Sequence, residues 1–133
     1  MGDRANIVIE NDAGRIYLYT HWAGYSLPET LRSALERGKS RWDDESYLTR
    51  IIFCEMVKGS EADLTGYGIS NQLGDNGHPF LVVNVEEQTV AVEGDETTPH
   101  TMADPAVGQS YSFTEYVALA GVDWGTLAPT ETA

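Results

Sequence analysis

Aromatic side chains, a histidine and an arginine in the first third of the chain are the residues best suited to bind a ligand. Residues 20–25 read THWAGY and lie between a strand-like run and the start of a predicted helix. Free backbone N–H groups and the positive end of the helix dipole favour an anion or a polar ligand there. The candidate pocket combines stacking rings with one cation and consists of His21, Trp22, Tyr25, Arg41 and Trp42. In the alternative, which we favour, the same rings seal a sheet edge and His21 is hydrogen-bonded and inert.

Motifs for catalysis and for metal binding are absent from the sequence. It contains no G-x-x-x-x-G-K, G-x-S-x-G, H-E-x-x-H or C-x-x-C pattern, so phosphate cradling, serine hydrolysis and the common zinc sites have no support. The three histidines, His21, His78 and His100, share no helical spacing. We therefore predict no metal ion and no cofactor, and we rank an enzyme below a binding protein.

The charge is distributed very unevenly along the chain. The net charge is −13, and residues 59–133 contain twelve Asp and Glu but no Lys or Arg. Because proteins bind nucleic acid largely through Lys and Arg, we expect no direct nucleic-acid binding. Solubility or salt adaptation would explain such a composition without any partner. The alternative is a surface that binds a basic protein and so mimics the charge of nucleic acid.

Five carboxylates on or beside one predicted hairpin are the candidate partner-binding residues. Carboxylates more than a Debye length apart, about 8 Å at physiological salt, act separately, so a partner requires them to be gathered on one face. We expect these acids on one side of the molecule, away from the basic residues of the first two helices. They are Glu86, Glu87, Glu93, Asp95 and Glu96.

The first half of the chain predicts a hairpin followed by two helices. β-rich runs at residues 6–10 and 15–20 flank a turn that ends at Gly14. Ser26 and Glu29 have capping-box spacing and predict a helix that begins at Leu27 and closes at Gly38 in a left-handed conformation. The acidic residues 43–45 predict the start of a second helix, which should end near Gly59.

The second half predicts three strands and a last helix. Residues 65–70, 80–85 and 89–93 are strand-like and suggest a three-stranded meander. Ser112 and Glu115 repeat the capping-box spacing before a short helix. The order ββααβββα predicts a two-layer α+β fold, with about five strands in a mixed or antiparallel sheet and helices on one face. We expect one domain over residues 1–125 and a flexible polar tail over residues 126–133.

Apolar periodicity predicts the residues of a single core. Cys54 lies within an apolar run and should be a buried thiol. No run is long enough to span a membrane and the first residues lack the apolar segment of a signal peptide, so we expect a soluble, cytoplasmic protein. The predicted core consists of Ile7, Ile9, Ile16, Leu18, Leu31, Leu35, Leu48, Ile51, Ile52, Val83, Val85 and Val90.

Three segments together carry a resemblance to known proteins. They read IYLYTHWxG, LPxxL and RWDDExYLxRIIFCEM, with x for unmatched positions. This pattern resembles a group of short uncharacterised proteins encoded by phages, archaeal viruses and their prokaryotic hosts, over residues 5–95. The resemblance implies a viral or mobile-element setting, in the host cytoplasm or a virion, and no role for any residue.

We therefore predict a small acidic accessory protein that binds another protein, for example by charge-mimic inhibition of a host nucleic-acid-binding or defence protein, or in a virion-associated role. The first alternative is a small-ligand or nucleotide-binding protein that uses His21, Trp22 and Arg41. The second is an enzyme of undefined class. The sequence is also compatible with a homo-oligomer.

Overall fold

A mixed, open sheet of six strands forms one layer of the structure, a computed structural model that describes residues 2–128. The strand order is β3-β2-β1-β4-β5-β6, and the fold is of the predicted α+β class. The elements are β1 (Ala5–Asn11), β2 (Gly14–Thr20), α1 (Leu27–Arg37), α2 (Glu45–Val57), β3 (Tyr67–Ser70), β4 (Phe80–Asn84), β5 (Thr89–Glu93), α3 (Pro99–Met102), β6 (Ser110–Ser112), α4 (Phe113–Val117) and α5 (Trp124–Leu127).

Strand pairing confirms two hairpins and corrects the predicted meander. β1 and β2 form an antiparallel hairpin whose turn ends at Gly14, which has a φ of 133°. β4 and β5 form a second hairpin, and β4 joins the first through parallel pairing with β1. The meander prediction was wrong because β3 pairs with β2 at the opposite edge of the sheet. The apolar strands β1 and β4 occupy the centre, and the short, glycine-containing β3 suits an edge.

Helices α1, α2, α4 and α5 pack on one face of the sheet, where they bury the main core. All predicted core residues except Ile16 are buried. Ile16 is 39% exposed because β3 pairs with β2 only from Tyr17 onward, which leaves Ile16 beyond the end of the outer strand. A smaller cluster of Val8, Phe80 and Val82 lies on the other face. The two-layer arrangement with helices on one face is therefore as predicted.

Helices α1 and α4 begin where the sequence predicts, but only one of the two predicted capping interactions is formed. α1 begins at Leu27, but the Ser26 side chain makes no capping hydrogen bond. Gly38 has a φ of −94° because a 3-10 turn, Lys39–Arg41, follows directly, so the expected left-handed closure was wrong. At α4 the predicted capping box is formed: Glu115 N donates to Ser112 Oγ and Ser112 N donates to the Glu115 carboxylate.

This difference between the two serines predicts a difference in stability. Ser112→Ala should lower the free energy of unfolding by about 1 kcal/mol, since it removes the acceptor for a helix N–H. Ser26→Ala should change it by less than about 0.5 kcal/mol, because no cap bond is lost. Urea unfolding of both variants, followed by circular dichroism, checks the prediction, and equal losses would contradict it.

Two further predictions concern single segments of the chain. Cys54 is exposed on α2, so the expected buried thiol was wrong; the buried face of this helix is formed by Leu48, Ile51, Ile52 and Met56. The predicted flexible tail begins inside α5, where Leu127 is buried, and its residues 129–133 lie outside the described residues. Within residues 2–128, no helix is both long and apolar enough to cross a membrane.

Candidate functional site

His21, Trp22 and Tyr25 lie together between β2 and α1 and form what we call the aromatic edge. Trp22 is 58% and Tyr25 is 71% exposed. The His21 and Trp22 rings meet edge to face, with centroids 4.3 Å apart. The Trp22 indole also packs over Gly66, where a Cβ atom would lie only 3.0 Å from the ring. The two rings therefore have both a fixed position and a solvent-accessible face.

Asp3 holds the aromatic edge to the rest of the fold. Its Oδ2 accepts a hydrogen bond from Tyr25 N at 2.7 Å, and its Oδ1 lies 2.6 Å from His78 Nε2. Its backbone N–H donates to the His21 carbonyl at 2.6 Å. The His78 ring in turn stacks on Trp124, with centroids 5.2 Å apart and an interplanar angle of 4°. Residues distant in sequence thus converge here, and no local signal marked Asp3 or Trp124.

An Asp–His pair of this kind can orient an imidazole as a base. A nucleophilic mechanism also needs a hydroxyl or thiol within hydrogen-bond reach of that base. Over residues 2–128, no Ser, Thr or Cys side chain bonds to His78, and His21 Nδ1 contacts the Tyr19 hydroxyl at 2.9 Å. In the same part of the chain, no group of three His, Cys, Asp or Glu could hold a metal ion. The aromatic edge thus places exposed rings close to an imidazole that a carboxylate orients.

Arg41 and Trp42 do not join the aromatic edge. They follow the C-terminus of α1, whereas Tyr25 precedes its N-terminus, and a helix of 11 residues is about 16 Å long. Trp42 Nε1 donates to the Leu35 carbonyl at 2.9 Å. The Arg41 guanidinium lies over the ring of Tyr47, 5.1 Å from its centroid. The predicted five-residue pocket is thus not formed. The cation beside His21 is Arg4, since both side chains crowd Gly2.

Two of the predicted partner-binding acids, Glu93 and Asp95, are occupied within the fold. Glu93 accepts from both terminal nitrogens of Arg15, at 3.1 and 3.3 Å, and Arg15 also pairs with Glu10 at 2.7 Å. Burial alone would lower the pKa of Arg15, but its bonds to the two carboxylates outweigh this effect and raise it. Glu93 therefore links β5 to β1 and β2 through Arg15, on the face of the sheet opposite the main core.

Asp95 is the centre of a buried polar network. It is 7% exposed, and its carboxylate accepts hydrogen bonds from Thr97, Thr98 and Asn76. Burial would raise the pKa of Asp95, but these donors outweigh it and hold the pKa below its usual value. Asn76 also accepts from Asn6 Nδ2 at 2.8 Å, and Asn6 Oδ1 has no partner among residues 2–128. Asp95 is therefore a structural residue.

Glu86 and Glu87 lie at the other end of the β4–β5 hairpin from Glu93, Asp95 and Glu96. β5 is five residues long, so the two groups are separated by about 15 Å, which exceeds the Debye length at physiological salt. Glu86, Glu87 and Glu96 are exposed. The five acids therefore do not form one surface, although all lie on or beside the predicted hairpin.

An acidic cleft of about 410 Å³ opens beside Glu86. Its walls come from the β1–β2 turn, the start of α2 and the β4–β5 turn. Four carboxylates surround it, and no lining residue is basic. Val85 and Ala13 supply apolar surface within it. The complete lining is Asn11, Asp12, Ala13, Asp43, Glu45, Val85, Glu86 and Gln88.

Hydrogen bonds between the turns hold the acidic cleft in shape. Asp12 N donates to Glu86 at 3.1 Å, which ties the two hairpin turns together. Glu45 accepts from Asn11 Nδ2 at 3.1 Å, which ties the first turn to α2, and its other oxygen accepts from the Thr49 hydroxyl at 3.0 Å within the helix. Asp12 and Asp43 are exposed. In the sequence Asp12, Asp43 and Glu45 looked like ordinary turn and capping residues, because only the parallel β1–β4 pairing brings the turns together.

Comparison with protein-family models, with curated proteins and with solved structures gives no match to this chain.

Proposed function

We propose that this protein is a small acidic accessory protein that binds a basic segment of another protein in the acidic cleft. One observation carries the proposal: carboxylates from three separate segments surround a single concavity whose lining contains no Lys or Arg. The resemblance of residues 5–95 to short phage and archaeal-virus proteins agrees with it, because small accessory proteins of viruses often bind host or virion components.

The chemistry of the cleft suits an arginine or lysine side chain. Such a side chain has an apolar stem and a charged head, and it binds best where both are matched. Val85 and Ala13 can contact the stem, while Asp12, Asp43 and Glu86 can contact the head. Carboxylates grouped within one cleft reinforce one another, whereas isolated surface acids are screened by salt. A basic segment should therefore bind with a strong dependence on ionic strength.

The aromatic edge supports ligand binding less well. Arg4, the cation beside His21, already lies 3.6 Å from the Asp75 carboxylate. An anionic nucleotide would have to compete with that ion pair. The exposed rings of Trp22 and Tyr25 remain available for stacking, but the arginine nearest to them is already paired with a carboxylate.

A matched pair of charge variants tests the proposal. Asp12→Asn with Asp43→Asn removes two exposed carboxylates of the cleft, and we expect it to weaken binding of an arginine-rich peptide about tenfold at low salt. Glu61→Gln with Asp63→Asn makes the same change of net charge at exposed residues of the α2–β3 loop. This control should change the affinity less than about twofold, because charges beyond the Debye length are screened.

Fluorescence anisotropy of a labelled peptide, titrated at several salt concentrations, gives both the affinity and its salt slope. The cleft variant should also have the shallower slope. An equal loss in both variants would contradict the proposal, since it would show that the peptide responds only to the overall charge of the protein.

A further inference from the structure

β3 is an outer strand of the sheet, and the chain around it carries no charged side chain. β3 pairs with β2 on one side only. Residues 64–74 contain no Asp, Glu, Lys or Arg. Ile69 is 61% exposed, and Leu64, just before the strand, is fully exposed. Proteins commonly protect edge strands with charges, proline or bulges, because an open edge pairs with other strands. No charge and no proline protects β3.

The register of β3 shows which of its backbone groups are free. His21 N donates to the Gly66 carbonyl at 2.8 Å, in the same register as the β2–β3 ladder. Hydrogen-bonded and non-hydrogen-bonded pairs alternate along an antiparallel ladder. Gly68 and Ser70 therefore direct their N–H and C=O groups toward β2. Tyr67 and Ile69 direct theirs away from β2, and no hydrogen bond from residues 2–128 reaches them.

We propose that a second copy of this chain pairs with β3 in antiparallel orientation, about a two-fold axis at Gly68. In this register Tyr67 of each copy lies opposite Ile69 of the other. Both pairs are of the hydrogen-bonded type, so all four outward-facing groups of each strand find partners. Each pair also sets an aromatic ring beside a β-branched side chain, which stabilises cross-strand contacts. The strand is thus complementary to itself.

The absence of charged side chains at this edge allows a second copy to approach it, although the two chains as wholes repel each other. A chain of net charge −13 repels its own copy wherever carboxylates face each other, and residues 64–74 contain none. β3 pairs with the half of β2 that is remote from the β1–β2 turn, so the acidic cleft stays open in the dimer. Two four-residue strands form a small interface, which predicts a weak, concentration-dependent dimer.

Disulfide trapping tests the register directly, in a Cys54→Ser background that removes the exposed native thiol. The two Gly68 residues would form a non-hydrogen-bonded pair with Cα atoms about 4.5 Å apart, which a disulfide can bridge. A Cβ atom at Gly68 meets no other atom within 4 Å, and its φ is not positive, so Gly68→Cys should fold. We expect this variant to form a disulfide-linked dimer under mild oxidation.

Ser70→Cys is the matched control on the same strand and the same face. In the proposed register the two Ser70 residues lie about 13 Å apart along the ladder, too far for a disulfide. Cross-linking of Gly68→Cys alone supports the proposal. Equal cross-linking of both variants, or none of either, overturns it.

Sedimentation equilibrium is a second, independent test, because it gives the dimer dissociation constant of the chain with its native Cys54 and Gly68. Ile69→Lys should raise the dimer dissociation constant about tenfold or more, while Ile69→Thr, which keeps a β-branched side chain, should change it less. Added salt should tighten the dimer, because it screens the repulsion between two acidic chains. A chain that stays monomeric at every concentration and salt would also overturn the proposal. Because salt weakens peptide binding in the cleft, failure of one proposal is distinguishable from failure of the other.

Discussion

Truncation of Ile52 to alanine should lower the free energy of unfolding by about 2 to 5 kcal/mol. Ile52 lies on α2, is fully buried, and belongs to the cluster that joins the helices to the sheet. The change removes apolar contacts and leaves a cavity that the close-packed neighbours can fill only in part. Urea titration followed by circular dichroism, with the same slope for both proteins, measures the loss.

Leu64→Ala is the control for this prediction. The Leu64 side chain is of similar size but fully exposed, so its truncation should change the free energy of unfolding by less than about 0.5 kcal/mol. A loss below 1 kcal/mol for Ile52→Ala, about that of an ordinary surface change, would contradict the position of α2 in the core.

Replacement of Asp95 by asparagine should lower the free energy of unfolding by about 2 to 4 kcal/mol at neutral pH. The carboxylate accepts from Thr97 and Thr98 and from Asn76 Nδ2, all in a site that is nearly closed to water. Asparagine keeps the shape but presents an NH₂ group to these donors. At least one buried donor then loses its acceptor, which is the costly outcome for a polar group.

The pH dependence of that loss identifies the charge as its cause. The pKa of Asp95 is lowered in the folded protein, so the ionised form stabilises the fold. For such a group the contribution is present above the pKa of the unfolded chain, about 4, and is lost as the pH falls through the lower pKa of the folded state. The difference between wild type and Asp95→Asn should therefore shrink below about pH 4.

Comparison of the two proteins over that pH range removes the contribution of other carboxylates. Glu29, for example, also has a lowered pKa because it accepts hydrogen bonds from Arg32, and it titrates in both proteins alike. A difference that stays constant down to pH 3 would show that packing, and not the charge of Asp95, accounts for the loss.

The candidate sites could be predicted from the sequence only in part. The sequence predicted the exposed aromatic edge because His21, Trp22 and Tyr25 are neighbours in the chain, and residues so close in sequence remain close in the fold. Arg41 was assigned to the same pocket wrongly, since α1 separates the two places by its whole length. Asp3 and His78 could not be paired from the sequence, because their contact depends on where β4 enters the sheet.

The acidic residues, too, could be predicted from the sequence only where their position depends on the local chain. Glu86 and Glu87 share a turn, and the sequence predicted their exposure together. Asp95 looked like another surface acid, yet it is buried, because donors from its own loop and from Asn76 surround it. The acidic cleft depends on parallel pairing between β1 and β4, strands separated by nearly seventy residues of chain. No periodic pattern encodes that pairing.

The sequence by itself determined the elements and their buried sides. Apolar periodicity, the glycine turn at Gly14 and the capping signal at Ser112 act within a few residues, so they can be read without the fold. Only the tertiary structure decided which strands are neighbours, that β3 is an open edge, and which acids are free and which are paired. The reason is physical: local patterns select a conformation and a face for each segment, whereas a strand accepts any partner that buries its apolar face and satisfies its hydrogen bonds.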